Sequence, residues 1–320
     1  MANSSERKLV YEYSVEYIEN TPVSIDIFNI KHTDMHYHLE SIEILYCIKG
    51  SVTIICNHET VTLNGGEIFT INPRDIHCVF SDTENMTISF QFNIHDLDSP
   101  YDVLEGIYFA AQDHAIQKYQ TKALNKIKAL LLAMTYNHIT EKNNNTIGLT
   151  NASNEIANIM IEYFDWFSYM HFNDSQIEVL RERYKQIIKY CHIHFKDKIT
   201  VTDLAELVHL NNNYTSQFLG KSSYGSFNAM LAFVRCYESQ YLLLNTDLPL
   251  DEISILCGFS DTKYFYKNFN IWWCKKPKEL RDWFKVYSKA ENNAPKYDNK
   301  DVKAVLESYI SEFFSNSLLE

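Results

Sequence analysis

Little glycine, little proline and no long apolar run characterise this chain: of 320 residues, 8 are glycine and 6 are proline. That scarcity leaves little room for phosphate-cradling loops, and no Walker A loop, G-x-S-x-G elbow, H-E-x-x-H pair or EF-hand loop occurs. The longest strongly apolar run, Ala129–Met134, is far too short to span a bilayer, and Met1–Ser14 is polar without a small-residue cleavage site. A cytoplasmic protein is expected. The 7 cysteines (Cys47, Cys56, Cys78, Cys191, Cys236, Cys257, Cys274) are scattered, odd in number and form no C-x-x-C pair. That usage fits a reducing compartment and excludes a disulfide or structural zinc framework. With 46% hydrophobic and 22% charged residues the chain is not disordered. Its length predicts two domains at roughly 150 residues each.

The formal charge of −12 speaks against a polyanionic partner until its distribution is examined. Between Arg181 and Lys289 stand 16 Lys+Arg against 11 Asp+Glu; of the chain totals of 29 and 41, the remainder holds 13 and 30. A basic C-terminal third on a strongly acidic remainder points to one part that meets nucleic acid and another with a different task.

From Ile42 to Phe92, short runs rich in Ile, Val, Thr, Tyr and Phe are punctuated by Lys49-Gly50, Asn57-His58, Asn64-Gly65-Gly66 and Asn72-Pro73-Arg74-Asp75. Turn residues at such close intervals predict an antiparallel meander closed into a sandwich or small barrel. The period then changes. Ile116, Tyr119, Ala123, Ile127, Leu130, Leu131 and Met134 mark one face of a helix between Ala115 and His138, placed either on the barrel or against a twin. Glu141–Asn154 reads as a loop, Glu155–Phe172 and Ser175–Phe195 as helices, and Lys289–Lys300 as a flexible connector. Val302, Val305, Leu306, Tyr309, Ile310, Phe313 and Phe314 make a final amphipathic helix, Asp301–Leu318, that packs on this chain or on a partner. No solenoid-period repeat is present.

Thr200-Val201-Thr202-Asp203 has the form of a capping box, followed by Leu204, Ala205, Leu207 and Val208 as a buried face. After the turn His209–Asn212 comes a helix in which Tyr214 and Phe218 anchor inward while Asn213, Ser216 and Gln217 face out. Some 50 residues on the layout returns. Leu250, Ile253 and Leu256 form a buried face, Gly258-Phe259-Ser260 a turn with Ser260 as N-cap, and the next helix turns Tyr264, Phe265 and Phe269 inward and Lys263, Tyr266 and Lys267 outward. Phe227–Leu244 reads as one long helix between the two units. Paired helix-turn-helix units on a rigid spacer can enter successive major-groove segments about 34 Å apart. The tryptophans Trp272, Trp273 and Trp283 fall after the second recognition helix and are read as core.

Thr200–Trp283 resembles the DNA-binding domain of the AraC/XylS family of bacterial transcription regulators. The resemblance rests on Leu204-Ala205, Arg235, Gly258-Phe259-Ser260, Tyr264-Phe265, Phe269 and Pro277, in order and spacing. It implies two helix-turn-helix units joined by a helix, with Asn212, Asn213, Ser216, Gln217, Lys221, Ser260, Asp261, Thr262, Lys263, Tyr266 and Lys267 meeting double-stranded promoter DNA. Departures from the family pattern weaken phosphate anchoring: Gln217 stands for Arg, Gly220 and Asn270 for Lys, and Tyr224 and Cys274 for glycine. Moderate monomer affinity and reliance on a homodimer follow, while Asn and Gln retain bidentate adenine pairing.

His36-Tyr37-His38, Glu43 and Gly50 have the spacing of the first metal motif of cupins, and Gly66–Pro73 with His77 resembles the second. On a strand His36 and His38 share a face. Sensor domains of AraC/XylS regulators resemble cupins and often keep such residues without catalysis. In that setting His36, His38, Glu43, Tyr46 and His77 bind a polar ligand, with Tyr37, Tyr46 and Phe69 as walls. Two alternatives stay open: strand-end histidines that satisfy turn backbone, and three imidazoles with a carboxylate holding iron, manganese, nickel or zinc.

The expected fold is therefore α+β and multidomain: a cupin-like barrel for ligand sensing (1–95), a helical linker or dimerisation region (96–178), an all-α double helix-turn-helix DNA-binding domain (179–288), and a flexible segment with a C-terminal helix (289–320). The expected function is transcription control by a small-molecule effector or by dimerisation, with RNA polymerase as a further partner, no membrane, no cofactor and no catalysis. The competing classes are a cupin metalloenzyme with an appended interaction domain and an interaction protein whose DNA-binding face has decayed.

Overall fold

The computed structural model describes residues 10–57, 59–98, 108–140, 145–164, 177–222, 224–287 and 292–317. It divides into two compact units, Glu12–Asp165 with Ala290–Glu320, and Met1–Tyr11 with Trp166–Lys289. His58, the start of the expected loop at 141–144, the helical patterns over 165–176 and the connector's 289–291 lie outside the described residues. Among the described residues no helix is long and apolar enough to cross a membrane.

The first unit is built from β1 (Tyr11–Glu12), β2 (Val23–Phe28), β3 (His36–Tyr37), β4 (Ser41–Lys49), β5 (Ser51–Cys56), β6 (Glu59–Asn64), β7 (Ile68–Ile71), β8 (His77–Phe80) and β9 (Met86–Asn93). They form two antiparallel sheets, ordered β1-β3-β8-β5-β6 and β2-β9-β4-β7. The two sheets close into the expected sandwich-like barrel, but β5 and β6 apart neighbouring strands are not consecutive, so the strand order is not that of a meander. Consecutive strands β4 and β5 belong to different sheets because Gly50, at φ +78°, turns the chain through a corner where a Cβ would lie 2.5 Å from the Glu84 carbonyl oxygen.

Strand β4 is buried on both faces, which explains its nearly unbroken apolar run Ile42–Ile48. Leu45, Cys47, Phe69, Ile71 and Val79 fill the space between the sheets. Ile42, Ile44, Tyr46, Phe90 and Phe92 pack instead into a core shared with α1 (Thr121–Thr140), α2 (Thr146–Tyr163) and the C-terminal helix α10 (Asn299–Ser317). The helix at 121–140 thus packs on the barrel. Its expected N-terminal turn is a separate 3-10 turn at Lys118–Gln120, and Tyr119 is solvent-exposed. The expected loop 141–154 is helical from Thr146, started by Asn145, whose side chain accepts from the Gly148 amide.

The C-terminal helix packs on its own chain, with Val302 and Leu306 fully buried. Residues 292–298, expected to be flexible, run along β2: Asn29 N–H donates to Pro295 O (3.0 Å), Tyr297 N–H to Ile27 O (2.9 Å) and Asn293 N–H to His32 O (2.7 Å). Unpaired backbone groups of the barrel edge find partners in this distant segment.

The second unit contains α3 (Ile177–His194), α4 (Val201–Leu207), α5 (Asn212–Gly220), α6 (Phe227–Asn245), α7 (Leu250–Leu256), α8 (Thr262–Trp273) and α9 (Pro277–Tyr287). Two similar arrangements share α6. After α4, His209 takes φ +54° and Leu210 N–H bonds Ala205 O at 2.8 Å; after α7, Gly258 takes φ +76° and Phe259 N–H bonds Ser254 O at 3.0 Å. Each turn thus closes in the left-handed region by the same hydrogen bond. Arg235 Nε donates to Phe195 O (2.8 Å), beyond the end of α3, and Arg281 Nε donates to Leu243 O (2.9 Å), in the last turn of α6. The two arginines tether the equivalent helix ends.

Candidate functional site

Strand pairing sets His36 opposite His77 across β3 and β8, while Glu43 enters from β4 in the other sheet. His36, His38, Glu43 and His77 are all buried, and one donor atom from each falls within 4.8 Å of the others. Each ring is held at Nδ1 by a backbone carbonyl: His36 by Asp34 O (2.7 Å), His38 by Tyr13 O (3.0 Å) and His77 by Asp75 O (2.9 Å). Glu43 Oε1 accepts from Ser89 Oγ at 2.6 Å, and its Oε2 lies 3.0 Å from His77 Nε2 and 3.6 Å from His38 Nε2. Gln91 Nε2 donates to His38 Nε2 (3.0 Å) and its Oε1 accepts from Ser41 Oγ (2.6 Å).

Burial, reinforced by His77 and His38, pushes the His36 ring well below the ordinary imidazole value. Burial also opposes charge on Glu43, but hydrogen bonding with His38 and His77 outweighs it and holds the carboxyl well below its usual range. Burial likewise depresses His38, and the Glu43 carboxylate overrides it, raising that ring. The cluster therefore pairs an ionised carboxylate with imidazoles of unlike basicity.

These four side chains line a cavity of about 580 Å³, within the size range of small-molecule sites. Its other walls include Tyr17, Ile30, Leu45, Gln91 and Lys296. Of the residues expected from sequence, His36, His38, Glu43 and His77 are brought together; Tyr46, Tyr37 and Phe69 do not line the cavity. Tyr46 is three residues from Glu43 and so takes the opposite face of β4, where its hydroxyl meets that of Tyr309 at 3.1 Å. Tyr37 alternates away from its flanking histidines and donates to Glu12 Oε2 (3.2 Å). Phe69 belongs to the apolar filling between the sheets and stacks on His114. Tyr13, Tyr17 and Lys296 carry no local signal that sequence reasoning can use, since only long-range pairing places their segments here.

In the helical unit the capping box expected at α4 forms: Thr200 N–H donates to Asp203 Oδ2 (2.7 Å) and Asp203 N–H to Thr200 Oγ1 (3.3 Å). On α5, Asn212, Asn213, Ser216 and Gln217 are exposed, as is Lys221 just after it. Asn212 Nδ2 also donates to Thr202 Oγ1 (3.0 Å), fixing α5 on α4. Tyr214, expected inside, is 42% exposed, and the inward position belongs to Thr215. The N-cap sits one residue earlier than the turn reading implied: Asn211 accepts from Tyr214 N–H at 2.8 Å.

At the second recognition helix Ser260, Asp261, Lys263 and Lys267 are exposed, while Thr262 and Tyr266 are half-buried. The N-cap is Asp261, not Ser260; its Oδ1 accepts from Tyr264 N–H at 2.7 Å. Phe265 and Phe269 are fully buried as expected and Tyr264 is half-buried. Trp273 is core, whereas Trp272 and Trp283 are half-buried. Cys274, where a glycine was expected by resemblance, still adopts the left-handed conformation (φ +51°) that ends α8. The 19-residue helix α6 spans about 28 Å at 1.5 Å per residue and joins the two helix-turn-helix arrangements within the helical unit.

Residues 27–93 match the family model described as the AraC-like ligand binding domain. The chain is 22% identical over 275 residues to an HTH-type transcriptional regulator of Staphylococcus aureus, and 23% identical over 269 residues to the Msm operon regulatory protein of Streptococcus mutans. It covers 94% of the streptococcal protein but spans only about a third (36%) of the staphylococcal relatives. Among solved structures, ToxT of Vibrio cholerae aligns with 84% of this chain and 99% of its own at 11% identity and a TM-score of 0.41. The C-terminal domain of AraT, a response regulator of Geobacillus stearothermophilus, aligns with 33% of this chain and 84% of its own at 25% identity and a TM-score of 0.28.

Proposed function

We propose that this chain, of the AraC type by the family match on its barrel and by its HTH-type relatives, is a sequence-specific DNA-binding transcription regulator whose barrel takes a small polar effector. The observation that carries the reading is the pair of tethered helix-turn-helix arrangements on α6, each presenting a polar recognition helix in the basic part of an acidic chain. Asn212, Asn213, Ser216, Gln217 and Lys221 form one reading face; Ser260, Thr262, Lys263, Tyr266 and Lys267 form the other. Asp261 serves the second face indirectly, as the cap that starts α8.

Phosphate contacts come from Lys221, Lys263 and Lys267, and base recognition from Asn and Gln amides. So few cations on the reading faces favour a homodimer, in which two chains add their contacts. The His36, His38, Glu43 and His77 cluster, with Gln91, offers directional hydrogen bonds to a hydroxyl-rich ligand. Effector binding then selects among arrangements of the paired DNA-binding units, with RNA polymerase as the downstream partner.

Selection of genomic fragments by the purified full-length chain, with and without candidate polyols, tests this. Enrichment of fragments bearing paired half-sites supports the reading. Failure to retain any fragment at low salt favours an interaction protein with a decayed DNA-binding face.

A further inference from the structure

We propose that residues 292–298 are a detachable strap: a second attachment of the helical unit to the barrel, whose closed form completes the wall of the effector cavity. The proposal concerns the regulation of the effector site and rests on that reading. Residues 166–289 are inserted in the sequence of the barrel unit, which supplies 12–165 before them and 290–320 after them. The helical unit is therefore covalently joined to the barrel at both ends. At the second join only residues 288–291 separate Tyr287, the last residue of α9, from Asn292. Asn293 then bridges His32, and Lys296 bridges Phe28 at the end of β2, both antiparallel. Asn292, Ala294 and Lys296 line the cavity, whereas Asn293, Pro295 and Tyr297 do not, which is the period-two alternation of an edge strand. One face of the returning chain thus belongs to the effector site, and Tyr297 on the other donates its hydroxyl to Asn85 O at 3.0 Å.

Backbone hydrogen bonds hold this segment. His32 and Asn293 exchange both, at 3.0 and 2.7 Å, and Lys31 N–H also donates to Asn293 O at 2.9 Å. Ala294 and Tyr297 are only half-buried and Asn292, Asn293, Pro295, Lys296 and Asp298 are exposed. The ion pair of Lys296 with Asp26 faces solvent and adds little. The next element is the opposite case, since α10 buries Val302 and Leu306 completely. Few buried apolar contacts and solvent-facing backbone hydrogen bonds mark a segment that opens well below the cost of global unfolding. The strap therefore releases while α10 stays seated.

Release lengthens the free connector after α9 from residues 288–291 to residues 288–298. At up to about 3.5 Å per residue its reach grows from roughly 14 Å to roughly 38 Å. A closed strap restricts where the helical unit can be carried, and hence which pairs of half-sites two chains engage together; an open one lifts the restriction. A cavity occupant that touches Asn292, Ala294 or Lys296 binds the closed form and shifts the strap toward it.

The test uses the full chain with Cys274→Ser, which removes the exposed thiol. A locked chain carries His32→Cys/Asn293→Cys; an antiparallel pair that exchanges both hydrogen bonds has Cα atoms about 5.5 Å apart, the spacing a disulfide needs. An opened chain carries Asn293→Pro/Tyr297→Ala, which deletes the amide bonded to His32 O and the hydroxyl bonded to Asn85 O. None of these positions lines the cavity. In the parent, hydrogen exchange at 27–32 and 292–298 should be at least about tenfold faster than at 302–306, and oxidation of the lock should remove the difference. Small-angle scattering should give the opened chain a larger radius of gyration than the oxidised lock, and their affinities for a selected genomic fragment should differ at least about tenfold, with reduction of the lock restoring the parent value. Strap exchange as slow as that of α10, loss of α10 protection in the opened chain, or equal radius and DNA affinity in the two variants overturns the proposal. DNA retained equally by every preparation removes the strap alone. DNA retained by none, with the exchange and scattering differences intact, removes the regulator reading alone.

Discussion

A methyl group at position 258 should disable the second helix-turn-helix. Gly258 sits at φ +76°, and a Cβ there would lie 2.6 Å from Phe195 O and 2.9 Å from Lys196 Cα. Both are backbone atoms in the turn just after α3, and Phe195 O is the acceptor of the Arg235 tether, so neither can yield cheaply. The left-handed conformation costs a residue with a Cβ about 1–2 kcal/mol. The forced overlap adds about 1–3 kcal/mol, as overpacking does elsewhere. Gly258→Ala is therefore expected to cost about 2–5 kcal/mol, a large share of a typical domain's stability.

Trp272 and Trp273 on α8 and Trp283 on α9 are the described tryptophans, all in the helical unit, so urea titration of a Trp166→Phe chain followed by tryptophan fluorescence reads that unit's transition and not the barrel's. The equivalent turn provides the control, since His209 already carries a side chain at φ +54°. His209→Gly removes left-handed strain against added chain entropy and should move stability by no more than about 1 kcal/mol, in the stabilising direction. A Gly258→Ala chain within about 0.5 kcal/mol of the parent would refute the reasoning.

Leu306→Ala, which empties a fully buried position of α10, should cost the barrel unit about 2–5 kcal/mol in a circular-dichroism melt while leaving the tryptophan transition in place. On a selected DNA site, Lys221→Ala, Lys263→Ala and Lys267→Ala should each lower the salt slope of binding by about one, measured by fluorescence anisotropy across ionic strengths. Gln217→Ala should cost about 1–3 kcal/mol at one half-site and relax base preference there. Hydrogen bonds from Thr200 hold the Asp203 carboxyl below its ordinary value of 3.8, so the α4 cap contributes above that pH and is lost as pH falls through the lowered value. Asp203→Asn should abolish this acid dependence in the fluorescence-monitored transition.

Much of the helical unit was legible because its signals are local. A capping box, a glycine turn and alternating Phe and Lys positions each act within a few residues. The errors were local as well: Asp261 outcompetes Ser260 as cap because a carboxylate one residue closer reaches the Tyr264 amide. Tyr214 faces out because, with Asn211 as cap, the inward positions of α5 fall on Thr215, Phe218 and Leu219. In the barrel, His36, His38, Glu43 and His77 could be found from motif spacing. Tyr46 was misplaced although period two already sets it opposite Glu43. What the sequence could not carry was long-range: the pairing of 292–298 with β2, the seating of α10 on the outer sheet face, and the cavity walls from Tyr13, Tyr17 and Lys296 depend on contacts hundreds of residues apart or on edges without a sequence mark.

Hydroxyl-radical footprinting on a selected genomic fragment tests the central claim most directly, because it reports where both recognition helices lie on the duplex. Per chain, two protected segments on one face about one helical turn apart are expected, with Gln217→Ala altering one and Lys267→Ala the other. A single protected segment that responds to both substitutions, or no protection at low salt, would contradict the account.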